Sequence, residues 1–254
     1  MYKKNWRNDM SPLQSRVARI ALLIGLCFGM EAAIAAPGRV AVLELAEPSI
    51  YDAKVMEYDV PNPAVTLPGR LVGEAFGAVL RGADQASRNY RLTEAFRAED
   101  FRLSEAMTAS LVESFEARGY EVERVKVPGR ITGRFASAPA LEGFDVVVDA
   151  YIDFAGYLAL TPTTPYVPRV EVPVQIREAS SGRVLSEAVL AYGGPVPVEG
   201  ATDVPADPRF AMRRLSQFEQ DPARAIGGMV DAADSLSQIV GRLAQTSVAA
   251  ATDR

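Results

Sequence analysis

The sequence predicts an α/β domain of mixed α+β character, a single mixed sheet of four to five strands with helices packed on it. Two kinds of pattern predict it. Segments Phe144–Tyr157 and Arg169–Glu178 alternate apolar and polar side chains with a period of two. Segments Phe101–Arg118 and Pro222–Leu243 instead repeat apolar residues at helical spacing. Positions 36–254 are enough chain for one packed core and show no break in composition, so one domain is expected, with long loops at 46–68 and 193–208.

Taken in order, Arg39–Leu45 reads as a first strand, with Val40 and Val42 on one face, Ala41, Leu43 and Leu45 on the other, and both faces largely covered. The following stretch to Pro68 is rich in Pro, Tyr and acids. Its Pro61, Pro63 and Pro68 cannot donate to a ladder, so regular structure is expected to be sparse there. Gly69–Arg81 fits a helix weakened by glycines. Phe101–Arg118 is the strongest helix of the first half, with Asp100 as its N-cap, Gly119 at the C′ position and a Leu103, Met107, Leu111, Phe115 stripe. Tyr120–Val127 then reads as a strand parallel to the first, reached by a helical crossover.

Phe144–Tyr157 places Phe144, Val146, Val148, Ala150, Ile152 and Phe154 inward, and Asp145, Asp149 and Asp153 outward. Four residues of strand span about 13 Å, so the three aspartates read as a wet sheet face rather than an ion site. Arg169–Glu178 directs Val170, Val172, Val174 and Ile176 inward and Arg169, Glu171, Gln175 and Arg177 outward, and Pro173 suggests one unpaired flank. Ser180-Ser181-Gly182 turns the chain into a hairpin partner, Arg183–Tyr192. Asp221-Pro222 starts the last helix, and the chain from Thr246 is expected to fray.

The amino end addresses the chain. Lys3, Lys4, Arg7, Arg16 and Arg19 precede an apolar run, Ile20–Met30, followed by small residues, which is the pattern of a secretory signal peptide over residues 1–35. Ala33 and Ala35 fit the peptidase, so cleavage after Ala35 and a periplasmic location are expected. The apolar run is too short to span a bilayer, and no transmembrane segment is expected after processing. Lipidation at Cys27, with outer-membrane association, is the alternative, although Leu26 stands where that signal wants a small residue.

The chain has no His, and its single Cys (Cys27) and single Trp (Trp6) both precede the cleavage point. This excludes Cys/His zinc sites, imidazole triads, thiol nucleophiles and disulfides from the processed protein, and no cofactor is expected. The formal charge of −5 becomes −8 without the +3 of the first 35 residues, which disfavours nucleic acid. Nucleophile-elbow, phosphate-loop, dinucleotide and Ser-x-x-Lys motifs are absent, and no catalytic residue is assigned. A glycan hydrolase using two carboxylates, or a binder of a small apolar ligand between helices and sheet, are the alternatives to a non-enzymatic role.

Candidate partner-binding residues fall in two stiff segments. Tyr51-Asp52 and Tyr58-Asp59 recur in the first long loop, and Pro162, Pro165 and Tyr166 rigidify a connection between strands. Rigid aromatic segments lose little entropy on docking. Gly69, Gly73 and Gly77 at four-residue spacing fit close helix packing, within the fold or at an oligomer contact.

The opening VAVLEL, the helix end ARGYEV, DVVVDAYIDF and the hairpin PRVEVPVQIREASSGRVL together resemble a group of envelope proteins over roughly residues 39–245. The group contains the amino-terminal domain of the Tol-Pal translocation protein, the lipoprotein activators of penicillin-binding proteins and the curli secretion lipoprotein. The resemblance implies a non-enzymatic binding or assembly role in the cell envelope, toward another protein or a cell-wall component. The loop Ala46–Pro68 has no counterpart in that pattern, so the group's particular partners do not transfer.

Overall fold

A computed structural model describes residues 38–56, 71–136 and 141–252, with residues 71–82 and 251–252 described as backbone alone. The predicted signal peptide with Cys27, Ala33 and Ala35, and the predicted contact residues Tyr58 and Asp59, lie outside the described residues. So does Gly69, while Gly73 and Gly77 fall in a helix.

Eight strands form one curled mixed sheet: β1 Arg39–Leu43, β2 Asp52–Val55, β3 Glu121–Val125, β4 Val146–Ala150, β5 Phe154–Ala159, β6 Val167–Glu178, β7 Val184–Gly193 and β8 Thr202–Val204. The helices are α1 Leu71–Ala98, α2 Leu103–Glu116, α3 Gln217–Gln220 and α4 Pro222–Thr252. β1 lies parallel between β3 and β4, and β6 pairs antiparallel with β4, β5 and β7. The parallel β1–β3 pair and the β6–β7 hairpin are those that the apolar spacing predicts.

The sheet exceeds the expected four to five strands for two reasons. β2 forms inside the Pro/Tyr-rich stretch by pairing parallel with β5, and β8 forms inside 193–208 by pairing parallel with β7. The run predicted as one strand, Phe144–Tyr157, is also divided into β4 and β5. Ala150 pairs with Val174 whereas Phe154 pairs with Glu171, so four steps along one chain match three along the other. That extra residue is a bulge, which bends and twists the sheet. It also exchanges faces: Ala155, Tyr157 and Ala159 enter the core where the alternation had placed Phe154. Pro173 sits opposite the break and accepts from Tyr151 N at 3.2 Å. β6 is therefore paired on both flanks, contrary to the expectation from Pro173. The missing amide falls where the facing strand is already interrupted.

One face of the sheet carries the main core. Leu103, Met107, Leu111 and Phe115 of α2 and Met229, Ala233, Leu236 and Val240 of α4 are buried against Val146, Val148, Val170, Val172 and Val174. The helix predicted from Phe101 begins at Leu103, because Asp100 adopts φ 50° in the preceding turn and does not cap it. Gly119, at φ 85°, ends the α2 turn as predicted, and Tyr120 N bonds back to Phe115 O at 3.2 Å. Asp221 caps α4 through Arg224 N at 3.2 Å. Rather than fraying at Thr246, α4 runs on to Thr252, with Val248 packed on the core.

A smaller apolar cluster of Ala41, Leu43, Val147 and Ala179 covers the opposite face, so β1 is buried on both sides as its sequence implies. Here the wet-face expectation fails at Asp149. Asp149 is fully buried, accepting from Arg130 at 2.7 Å, Arg177 at 3.2 Å and Ala136 N at 2.8 Å. Arg169, predicted outward, is likewise buried, with Glu171 at 2.9 Å and Asp203 of β8 at 3.4 Å. Asp145 and Asp153 are exposed as expected, Asp145 accepting from Arg39 N at 2.7 Å. No helix among the described residues is long and apolar enough to cross a membrane.

Candidate functional site

β2 is an edge strand, and such an edge offers unpaired backbone groups. α1 closes it with polar side chains four residues apart. Thr93 Oγ1 accepts from Tyr51 N at 3.0 Å, Asn89 Oδ1 accepts from Ala53 N at 2.9 Å, and Gln85 Nε2 donates to Ala53 O at 3.1 Å. Gln85 also donates to Asn89 Oδ1 at 2.6 Å, and Asn89 Nδ2 donates to Asp52. A helix thus does what a neighbouring strand would do, using the spacing that puts positions i, i+4 and i+8 on one face.

The ends of α1 and α2 are fixed beside this ladder. Leu103 N donates to Tyr51 OH at 3.0 Å and Ser104 N to Glu47 Oε2 at 2.9 Å, while Tyr51 OH donates to Glu47. Arg102 at the N-cap contributes no side-chain bond, so the first amides of α2 are capped from the β1–β2 connection. Phe96 packs edge-on against Tyr51 and Phe101, with centroids 4.7 Å and 5.4 Å away. Arg91 grips Glu219 with two bonds, 2.5 Å and 2.7 Å, tying α1 to α3.

On this frame lies a groove of about 500 Å³ between the β1–β2 connection and α1, bordered by Ile50, Gln85, Asn89, Tyr90 and Arg97. Ile50 is 51% exposed and Tyr90 65%, two of the largest exposed apolar side chains among the described residues. A smaller cleft of about 200 Å³, at Glu47, Arg97 and Phe101, continues it toward the α1–α2 corner.

The ionisable groups at the groove are already engaged. Burial, then the adjacent Glu47, pushes the Tyr51 hydroxyl well above its ordinary range. Burial raises the Asp52 carboxyl, opposed by the Asn89 hydrogen bond and the charge of Lys54. Glu47 and Asp52 spend their oxygens on Tyr51, Ser104 and Asn89. Glu94 pairs with Arg97. Among the described residues no group of three or more acidic, Cys or His side chains could hold a metal ion. The arrangement suits contact, with apolar surface held on a rigid polar frame.

The predicted contact residues distribute unevenly. Tyr51 is a buried capping residue, and Asp52 is a half-buried member of β2 rather than of a loop. Tyr166 is buried too: its hydroxyl accepts from Arg88 Nη1 at 2.8 Å and its ring meets Phe218 edge-on. Consecutive α1 residues Arg88 and Asn89 therefore reach both predicted segments. Pro162 and Pro165 are exposed in the β5–β6 connection and do not border the groove. Tyr90 escapes the sequence reading, whose helix ends at Arg81, and Ile50 escapes it because it lies in the irregular β1–β2 connection. The four-residue spacing of Gln85, Asn89 and Thr93 was the available signal.

No protein-family model matches the chain, and no curated protein matches it in sequence. Among solved structures it is similar to the crystal structure of a Xanthomonas campestris protein, XCC0632, of the DUF330 family. The two share 9% identity over 88% of this chain and 93% of that one, with a TM-score of 0.44, a likeness that assigns no function.

Proposed function

We propose that this protein is an exported, non-enzymatic cell-envelope protein, periplasmic, that works as an assembly or accessory factor by binding another protein or envelope component. The contact surface is the groove between the β1–β2 connection and α1. One observation carries this: Ile50 and Tyr90, both more than half exposed, border one groove whose frame is locked by the Gln85, Asn89 and Thr93 ladder. Scattered exposed apolar residues need no explanation, whereas a shared groove on a rigid frame marks contact surface, and tyrosine is a favoured anchor there. The basic-then-apolar amino end and the small residues Ala33 and Ala35 support export.

The test is a photoreactive phenylalanine analogue at position 90, activated in intact cells. A discrete adduct that disappears when Ile50→Asp is added, with the melting temperature unchanged, is expected. No adduct, or an adduct indifferent to Ile50→Asp, overturns the groove assignment.

A further inference from the structure

Beyond Phe101 the groove opens into a second cleft of about 630 Å³, where the first turns of α2 and α4 lie side by side. The two helices run parallel. Ser110 bonds Asp234 at 2.5 Å, Ser114 Oγ donates to Ser237 O at 2.8 Å, and Arg118 reaches Gln238 at 3.1 Å, so both amino ends face this corner. Phe101 and Ile226 supply the apolar floor. Val230, one turn beyond Ile226, extends the apolar strip and is 38% exposed.

The rim is acidic. Glu99, Asp100 and Glu105 are exposed there against a single guanidinium, Arg102, and none of the four makes an ion pair among the described residues. Neighbouring acids differ: Asp84, Glu94 and Glu219 each face an arginine. Helix capping does not account for Glu99 and Asp100. They precede α2, and its first amides are taken by Glu47 and Tyr51.

We infer that this corner receives a basic amphipathic segment of a partner polypeptide. A bulky apolar side chain seats on Phe101 and Ile226, and flanking Lys or Arg side chains face Glu99, Asp100 and Glu105. The inference rests on the binding role proposed above and adds the chemistry of the partner. Two features of opposite kind point to the same occupant. The apolar floor supplies affinity, and the unmatched rim charge supplies orientation and rate of approach.

Fluorescence anisotropy on the full exported protein tests it with three short labelled peptides. One has Lys and Arg around a central Leu-Phe, the second replaces Leu-Phe with Ser, and the third replaces the basic residues with Glu. Binding of the first about tenfold tighter than either other is expected. Glu99→Lys with Glu105→Lys should abolish the preference, whereas Glu113→Lys with Glu116→Lys, exposed positions of α2 outside the cleft, should keep it. Equal weakening by both pairs, or no preference among the peptides, overturns the inference. If the position-90 adduct persists in that case, only the basic partner is refuted; if it is lost as well, the binding role falls with it.

Discussion

The side-chain oxygen of Asn89 accepts the backbone amide of Ala53 at 2.9 Å, across 36 positions of sequence. Through this bond and its neighbours from Gln85 and Thr93, a helix replaces the missing outer partner of β2.

Asn89→Leu should therefore destabilise more than its half-buried position suggests. It leaves Ala53 N and Asp52 without their partner at once, and an unmet buried polar group costs about 1 to 3 kcal/mol. Urea unfolding should show that loss, and amide exchange at Ala53 should accelerate. A stability within experimental error of wild type would mean that water replaces the side chain without cost.

Asp149 balances two arginines drawn from segments far apart, Arg130 and Arg177. Asp149→Asn keeps the shape but leaves two buried cations uncompensated, a change of about 3 to 5 kcal/mol for a broken buried pair. Replacing both arginines by Met together with Asp149→Leu should recover much of the loss, because a packed apolar cluster often equals a buried ion pair. Thermal melts of the single and triple variants make the comparison, and an unaltered single variant would refute the balance.

Asp52 carries a pH dependence of definite sign. Burial lifts its folded-state pKa above the ordinary 3.8, so the native state prefers the protonated form. Its contribution is most favourable below the unfolded value and is lost as pH rises through the folded one. Asp52→Asn should accordingly be more stable than wild type at neutral pH, with an advantage that vanishes below 3.8. Unfolding midpoints across that range decide it; a variant that is less stable at neutral pH would show that the Asn89 bond outweighs burial.

Gly156 of β5 pairs directly with Asp52 of β2. A Cβ there would lie 1.9 Å from Asp52 O, which is backbone and held by its own pairing. Gly156→Ala should detach β2 and with it the ladder to α1 that frames the groove, read as lost protection of Ala53 and Tyr51 amides. Protection equal to wild type would show that β2 shifts without leaving β5.

The sequence by itself determined the parts whose cause is local. The Leu103, Met107, Leu111, Phe115 stripe, the β6–β7 hairpin, the Asp221 start of α4 and the Gly119 stop of α2 follow from spacing and backbone preference within a few residues. Only the tertiary structure decided the rest. β2 and β8 are strands because β5 and β7 offer them edges, despite flanking prolines. Phe154 leaves the core because one extra residue against β6 turns the alternation over. Asp149 is buried because its counter-charges arrive from other segments, Arg169 because Asp203 of β8 joins Glu171 of its own strand around it, and Tyr51 is a helix cap because α2 begins beside it. The physical reason is common to all of these. Periodicity reports which way a side chain points along its own segment, whereas burial of a charge and satisfaction of an edge depend on groups that meet only in the folded chain.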